Sequence, residues 1–250
     1  MGTPIYLINL DESKDRLAAC DQLLTQHGLV YERVPAVLGK ALSESEIAKV
    51  YDQEANRKSH YRTLSQGEIG CYLSHRECWR RIAESDEPYG IVLEDDINIT
   101  GDVAKAIELI KQVDFAWDLI KLAPYNRKTR KVLLSHKMDE EFALVIHNKP
   151  MSGCAATIYS KEGAQKLLAA TERFCRPVDT DIQHFWDKDI YVWSLAPYVF
   201  QQNLDSESTI SATRKHNTKR HWVRKIQQIK EFFNNRKAVR KQVKLFVERG

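Results

Sequence analysis

Tyr89-Gly90-Ile91-Val92-Leu93 is a continuous apolar run that ends abruptly in three carboxylates, Glu94-Asp95-Asp96. An apolar run without polar alternation reads as a strand covered on both faces, which requires layers above and below a sheet. The surrounding chain supplies them. Ile5 to Ile8 is a short β-rich run, and Ser13 to His27 has helical spacing stopped by Gly28. Val30 to Val37 reads as a strand, with Pro35 placing it at an edge. Ser43-x-x-Glu46 opens a short helix to Glu54, Asn56 to Thr63 reads as loop, and Ser65-x-x-Glu68 opens a helix to about Ser85. In that helix Ile69, Leu73 and Ile82, with Tyr72 and Trp79, are the expected core residues.

Further helices are expected at 102–113, 161–170 and 180–186, and strands at 117–122, 155–159 and 190–195. Two more runs, 132–134 and 142–146, flank a polar turn and suggest antiparallel pairing. Alternation of this kind predicts an α/β sandwich built on a mixed, largely parallel sheet.

Length and composition, 250 residues with 43% hydrophobic and 29% charged, fit one large globular domain or one domain plus an appendage. The five cysteines are scattered and odd in number, with no C-x-x-C, so neither a disulfide framework nor a zinc site is expected. The N-terminus enters a strand-like run with no basic, then apolar, leader, and no apolar stretch is long enough to span a bilayer. The expectation is a cytoplasmic protein.

Charge is unevenly distributed. Residues 215–250 hold 12 Lys+Arg against Glu231 and Glu248, a net of +10. Residues 1–214 hold 26 Lys+Arg against 32 Asp+Glu, a net of −6. The chain therefore divides into a body, 1–214, and a basic tail, 215–250.

In an open α/β sheet, ligands bind beyond the carboxyl ends of the strands, where Glu94-Asp95-Asp96 sits. If strand geometry persists, Glu94 and Asp96 point the same way. Adjacent carboxylates repel unless a cation is near, and hard oxygen ligands suit Mg²⁺ or Mn²⁺. A solvated, idle acidic turn is the alternative reading of the tripeptide.

Three blocks resemble glycosyltransferase family 25, which includes bacterial lipooligosaccharide galactosyltransferases and animal procollagen galactosyltransferases. The first is Ile5 to Asp11 with Arg16. The second contains Gly67-Glu68-Ile69-Gly70-Cys71-Tyr72-Leu73-Ser74-His75, Trp79 and the strand ending in Glu94-Asp95-Asp96. The third runs from Gly153 through Tyr159-Ser160 to Pro177-Val178-Asp179, with Pro197 beyond. The resemblance implies a GT-A-type fold, a UDP-sugar donor (galactose first, glucose next), Mn²⁺ or Mg²⁺, and a lipid-linked oligosaccharide acceptor.

It further implies that the cluster corresponds to the family's D-x-D-type motif, with Asp96 the preferred metal ligand and Glu94 a second. Glu94 or Asp95 would otherwise reach the ribose or a coordinated water. Asn9 and Asp11 would bind uracil or ribose, Arg16 would approach the phosphates, and Ser74 and His75 would face the donor. Asp179 is the first choice for the base of an inverting transfer and Asp181 the second; helix N-capping is the other reading of Asp179. A third metal ligand would come from Gln201, Gln202 or His216.

In the tail, Trp222, Ile226, Ile229 and Phe233 recur at helical spacing, and Val239, Val243 and Phe246 continue it after an interruption at Asn234-Asn235. A basic helix with an apolar stripe suits an anionic membrane interface, and packing on the body is the equal alternative. Nucleic acid is not an expected partner, because the acidic body opposes it. A transferase peripheral to the inner membrane is the leading expectation, and a non-catalytic glycan- or partner-binding module is the alternative.

Overall fold

The computed structural model describes residues 2–125, 129–203 and 221–248. The chain runs β1 (Ile5–Asn9), α1 (Lys14–Gln26), β2 (Glu32–Pro35), a 3-10 turn (Gly39–Ala41), α2 (Glu44–Val50), α3 (Gln53–Ser59) and α4 (Gln66–Glu84). It continues through β3 (Tyr89–Glu94), β4 (Ile97–Ile99), α5 (Val103–Lys111), β5 (Leu119–Lys121), β6 (Val132–Lys137), β7 (Ala143–His147), β8 (Ala156–Ser160) and α6 (Lys161–Ala170). Then come α7 (Val178–Ile182), a 3-10 turn (Phe185–Asp187), β9 (Val192–Ala196), β10 (Phe200–Gln202) and α8 (His221–Val247).

Eight strands form one sheet in the order β2-β1-β3-β8-β5-β9-β7-β6. The pairs β1–β2, β1–β3 and β5–β9 are parallel, and the other four are antiparallel. Following those senses across the sheet, only β8 and β7 are reversed, so six of the eight strands run the same way. The mixed, largely parallel α/β sheet expected from the sequence is present, with a helix at the C-terminal end of the described chain. As expected, 132–147 forms an antiparallel pair, and β2 with its Pro35 lies at an edge.

Strand β3 is covered on both faces: Ile91, Val92 and Leu93 are fully buried. Helix α4 supplies one cover. Its capping box forms, with Glu68 N donating to Ser65 Oγ at 3.2 Å and Ser65 N donating to Glu68 Oε2 at 3.0 Å. Glu68 also receives Arg62 in a bidentate buried pair at 2.6 and 2.5 Å, so one carboxylate fixes both the helix start and the segment before it. Ile69, Tyr72, Trp79 and Ile82 are buried as expected, while Leu73 is only partly covered.

Some local expectations are corrected. The helix expected over 43–54 is two helices, because Asp52 starts a new one by accepting Ala55 N at 2.8 Å, and α3 takes up half of the expected loop. The helix expected over 180–186 is α7 followed by a 3-10 turn. The pairing of β4 with β10 was not anticipated. Asn234 and Asn235 do not interrupt α8: Asn235 is buried and its Nδ2 donates to Asn148 O at 2.6 Å.

Candidate functional site

Parallel pairing of β1 with β3 sets Ile8 opposite Glu94, so Asn9 arrives beside the carboxylates. Asn9 Nδ2 donates to Asp95 Oδ2 at 2.7 Å and to Ser13 O at 3.1 Å, while its Oδ1 accepts from Arg33 Nε at 3.1 Å. Asn9 therefore spends its polar atoms holding the cluster to the first strand-to-helix turn. Arg16, on α1, reaches Asp95 Oδ1 at 3.0 Å and Asp96 Oδ2 at 3.8 Å. Asp11 is mostly exposed and ion-paired with Arg33.

The three carboxylates do not share one environment. The strand ends at Glu94, so the alternation that would align Glu94 with Asp96 does not continue. Glu94 Oε1 bonds instead to His75 Nε2 on α4 at 2.9 Å, and His75 is fully buried. Asp95 and Asp96 share Arg16. The β4–β10 pair sets Gln202 opposite Ile97, and Gln202 Nε2 donates to Asp96 Oδ2 at 2.9 Å. Asp96 Oδ1 is buried with no partner. Burial, then the Glu94 charge, push the Asp96 carboxyl up to about 6. Burial likewise raises Asp95, against Arg16 and Asn9.

The donor set fits a divalent cation. Asp96 Oδ1 is a buried carboxylate oxygen lacking any donor, and hard oxygen ligands of this kind take Mn²⁺ or Mg²⁺. A second, softer set stands behind it: Cys71, His75 and Glu94 have ligating atoms within 4.8 Å of one another. Among the described residues this is the group of ligating atoms that meets, and it includes Glu94 but not Asp96. Of the expected further ligands, Gln202 meets Asp96, and His216 lies outside the described residues.

Asp179 lies in the first turn of α7, whose cap position is Pro177, so helix N-capping does not account for it. Its Oδ1 accepts from Thr180 N at 2.7 Å. Desolvation raises the Cys71 and Cys154 thiols, and the charges of Glu94 and Asp179 both add to that rise. Asp181 stands elsewhere. It is buried among Tyr72 Oη at 2.6 Å, Arg176 at 3.0 Å and Lys188 at 3.1 Å. Burial would raise its carboxyl, but Lys188 and Arg176 outweigh that and hold it below the usual range, so it is a tie between elements rather than a base. Ser74 is also structural: its Oγ donates to Gly70 O and accepts Val37 N, each at 2.8 Å.

Lys121 was missed. It is 1% exposed at the end of β5, and its Nζ donates to Gly153 O at 2.7 Å and Thr157 Oγ1 at 3.4 Å. Among the described residues it has no carboxylate within ion-pair distance, and its charge acts on the same Cys154 as Glu94 and Asp179. A lone lysine in the apolar run Leu119-Ile120-Lys121-Leu122 was the signal available for it.

The profile described as "Glycosyltransferase family 25 (LPS biosynthesis protein)" matches residues 2–182. Procollagen galactosyltransferase 2 of Homo sapiens is 30% identical over 173 residues, covering 66% of this chain and 27% of that protein. A glycosyltransferase 25 family member of Drosophila pseudoobscura pseudoobscura is 30% identical over 172 residues, covering 66% and 27%. Procollagen galactosyltransferase 1-A of Xenopus laevis is 27% identical over 218 residues, covering 77% and 34%. The chain thus spans about a third or less of the length of these relatives. Among solved structures, the glycosyltransferase GlyE of Streptococcus pneumoniae TIGR4 aligns at 12% identity and TM-score 0.44, covering 97% of this chain and 64% of that one. A Drosophila galactosyltransferase 7 mutant complexed with manganese, UDP-Gal and xylobiose aligns at 10% identity and TM-score 0.36, covering 86% and 80%. Superpositions this loose carry no inference about donor or metal.

Proposed function

The chain belongs to glycosyltransferase family 25, and from that premise we propose that it transfers a hexose, galactose first, from a UDP-sugar to a lipid-linked oligosaccharide of the lipooligosaccharide or lipopolysaccharide type. The reaction is metal-dependent and inverting, on a GT-A-type body, at the cytoplasmic face of the inner membrane. The observation that carries the reading is Asp96, a partly exposed carboxylate just beyond the carboxyl end of β3 with one oxygen buried and unpartnered. The galactosyltransferase names of the relatives support the donor sugar, and the family's description as a lipopolysaccharide biosynthesis protein supports the acceptor class.

Asp96 and Glu94 would hold Mn²⁺ or Mg²⁺, which supplies positive charge for a diphosphate leaving group. Arg16 pairs with Asp95 at 3.0 Å and lies 3.8 Å from Asp96, and its guanidinium is the group we assign to the donor's phosphate oxygens. His75 holds Glu94 in place through one partly buried hydrogen bond. Asp179 takes the proton from the acceptor hydroxyl as that oxygen bonds to the sugar carbon and the bond to the nucleoside diphosphate breaks. Asp181, fully engaged in the core, takes no part in this.

Asp96→Ala is expected to lower metal-dependent UDP-sugar turnover at least a hundredfold, with an unchanged circular dichroism spectrum. Full turnover in that variant would overturn the metal assignment. Absence of turnover with every UDP-sugar in the unsubstituted protein, with no stabilisation by UDP and Mn²⁺, would favour the glycan-binding module instead.

A further inference from the structure

Nine large apolar side chains are exposed among the described residues, and six of them lie on α8. Trp222, Ile226, Ile229 and Phe233 are 77, 55, 60 and 63% exposed. At roughly 100° per residue these four fall within an arc of about 60°. The same line continues through Arg236, Lys237, Arg240 and Lys244, all exposed. The outward face of one straight helix is thus apolar in its first half and cationic in its second.

The inward face is different. Glu231, Asn235, Val239 and Gln242 lie on the opposite side and meet the body: Glu231 bonds His184 Nε2 at 3.0 Å, and Gln242 Nε2 donates to Val192 O at 3.1 Å. Asn235 grips Asn148 O, and Lys149 stands 3.8 Å from Glu231. The chain from 148 to 154 leads directly to Gly153 and Cys154 beside Lys121. Val239, Val243 and Phe246, which the sequence joins to the outward stripe, pack against the core instead.

We propose that α8 lies along the surface of an anionic bilayer, with Trp222, Ile226, Ile229 and Phe233 at the headgroup boundary and Arg236, Lys237, Arg240 and Lys244 on the lipid headgroups. Charge selects this occupant. A second copy docked in parallel would set the cationic halves against each other, and an antiparallel one would set each against an apolar half. A bilayer with anionic headgroups satisfies both halves at once. The body, net −6 over residues 1–214, is repelled from the same surface, so α8 alone faces it. Because its inward face holds residues 148 and 149, the helix fixes the carboxylate site relative to the membrane. The proposal deepens the membrane placement given above and does not depend on the sugar chemistry.

The test is co-sedimentation of the full chain with vesicles of phosphatidylcholine alone or mixed with phosphatidylglycerol. Binding is expected only to the mixed vesicles and should weaken with salt. The double substitution Ile226→Glu/Phe233→Glu should reduce affinity at least tenfold, with an unchanged melting curve because both side chains are more than half exposed. Arg236→Gln/Arg240→Gln should cost about fivefold per charge. Failure of the unsubstituted protein to pellet, equal binding to both vesicles, or full binding by the Glu variant would overturn the proposal. So would a dimer in sedimentation velocity that the Glu variant abolishes, since that assigns the face to a second copy. No sugar donor is present, so failure here leaves the transferase reading standing, and the Asp96→Ala result leaves this one standing.

Discussion

Asp96 keeps one carboxylate oxygen buried without a partner, and His60 keeps both ring nitrogens that way. Burial raises the first and lowers the second, since it penalises the charged form of each. Asp96 has Arg16 and Gln202 beside it and belongs to the candidate site, whereas His60 lies at the end of α3 and belongs to the fold. Burial, with Arg62 and Arg176 adding to it, holds the His60 imidazole down to about 4 against an ordinary 6.5. Between those values the unfolded chain binds a proton that the folded chain refuses. Stability is therefore lost as pH falls from about 6.5 towards about 4, by on the order of 3 kcal/mol from this group. Urea denaturation midpoints across that range should show the loss. His60→Phe should flatten it, because an apolar ring removes two unsatisfied nitrogens at little cost. An unchanged pH profile in His60→Phe would place the titration elsewhere.

Elements explain why parts of the site were legible and parts were not. The capping boxes at Ser43 and Ser65 and the apolar run of β3 are local signals, and each started its element where expected, although the helix opened by Ser43 ends early, at Val50. Asp95 and Asp96 were visible because they follow that run directly. Arg33 meets Asn9, Cys71 meets Glu94 and Lys121 meets Gly153 only through pairing and packing between distant segments, which spacing along the chain does not reveal. The β4–β10 pair is the clearest case: it joins residues about a hundred apart and brings Gln202 to Asp96. Close approach of α4 to the Gly39–Ala41 turn is another such contact, and here glycine is required. A Cβ on Gly70 would lie 2.4 Å from Val37 O and 2.7 Å from Gly39 N, both backbone atoms that cannot rotate away. Gly70→Ala should therefore destabilise the protein by about 1–3 kcal/mol or more and disturb the Val37 N to Ser74 Oγ bond. Gly2→Ala, with nothing within 4 Å, should leave the denaturation midpoint unchanged. Equal midpoints for the two variants would refute the close packing of α4 on that turn.

At the scale of the whole molecule, the question is whether the basic segment is an appended tail or part of one folding unit. The expected boundary at 214/215 lies outside the described residues, but α8 itself is informative. Val239 is 2% exposed, and Phe246 packs its ring 4.9 Å from Trp193 and 5.2 Å from Phe115. Trp193 sits on β9, inside the main sheet, so the second half of α8 is built into the same core as the strands. One cooperative transition is the expected consequence. Val239→Asp buries an unpaired carboxylate in that seam and should lower the stability of the whole chain by about 2–4 kcal/mol, moving β-sheet and helix signals together. Phe233→Asp, on the outward face, should change stability by less than about 0.5 kcal/mol. Near-ultraviolet and far-ultraviolet circular dichroism followed through the same urea titration separate the cases. If Val239→Asp releases the helix while the sheet melts at its original midpoint, α8 is an independent appendage. If both signals shift together, the helix that presents the basic face belongs to the same folding unit as the sheet, and what it binds is held in a fixed position relative to Asp96.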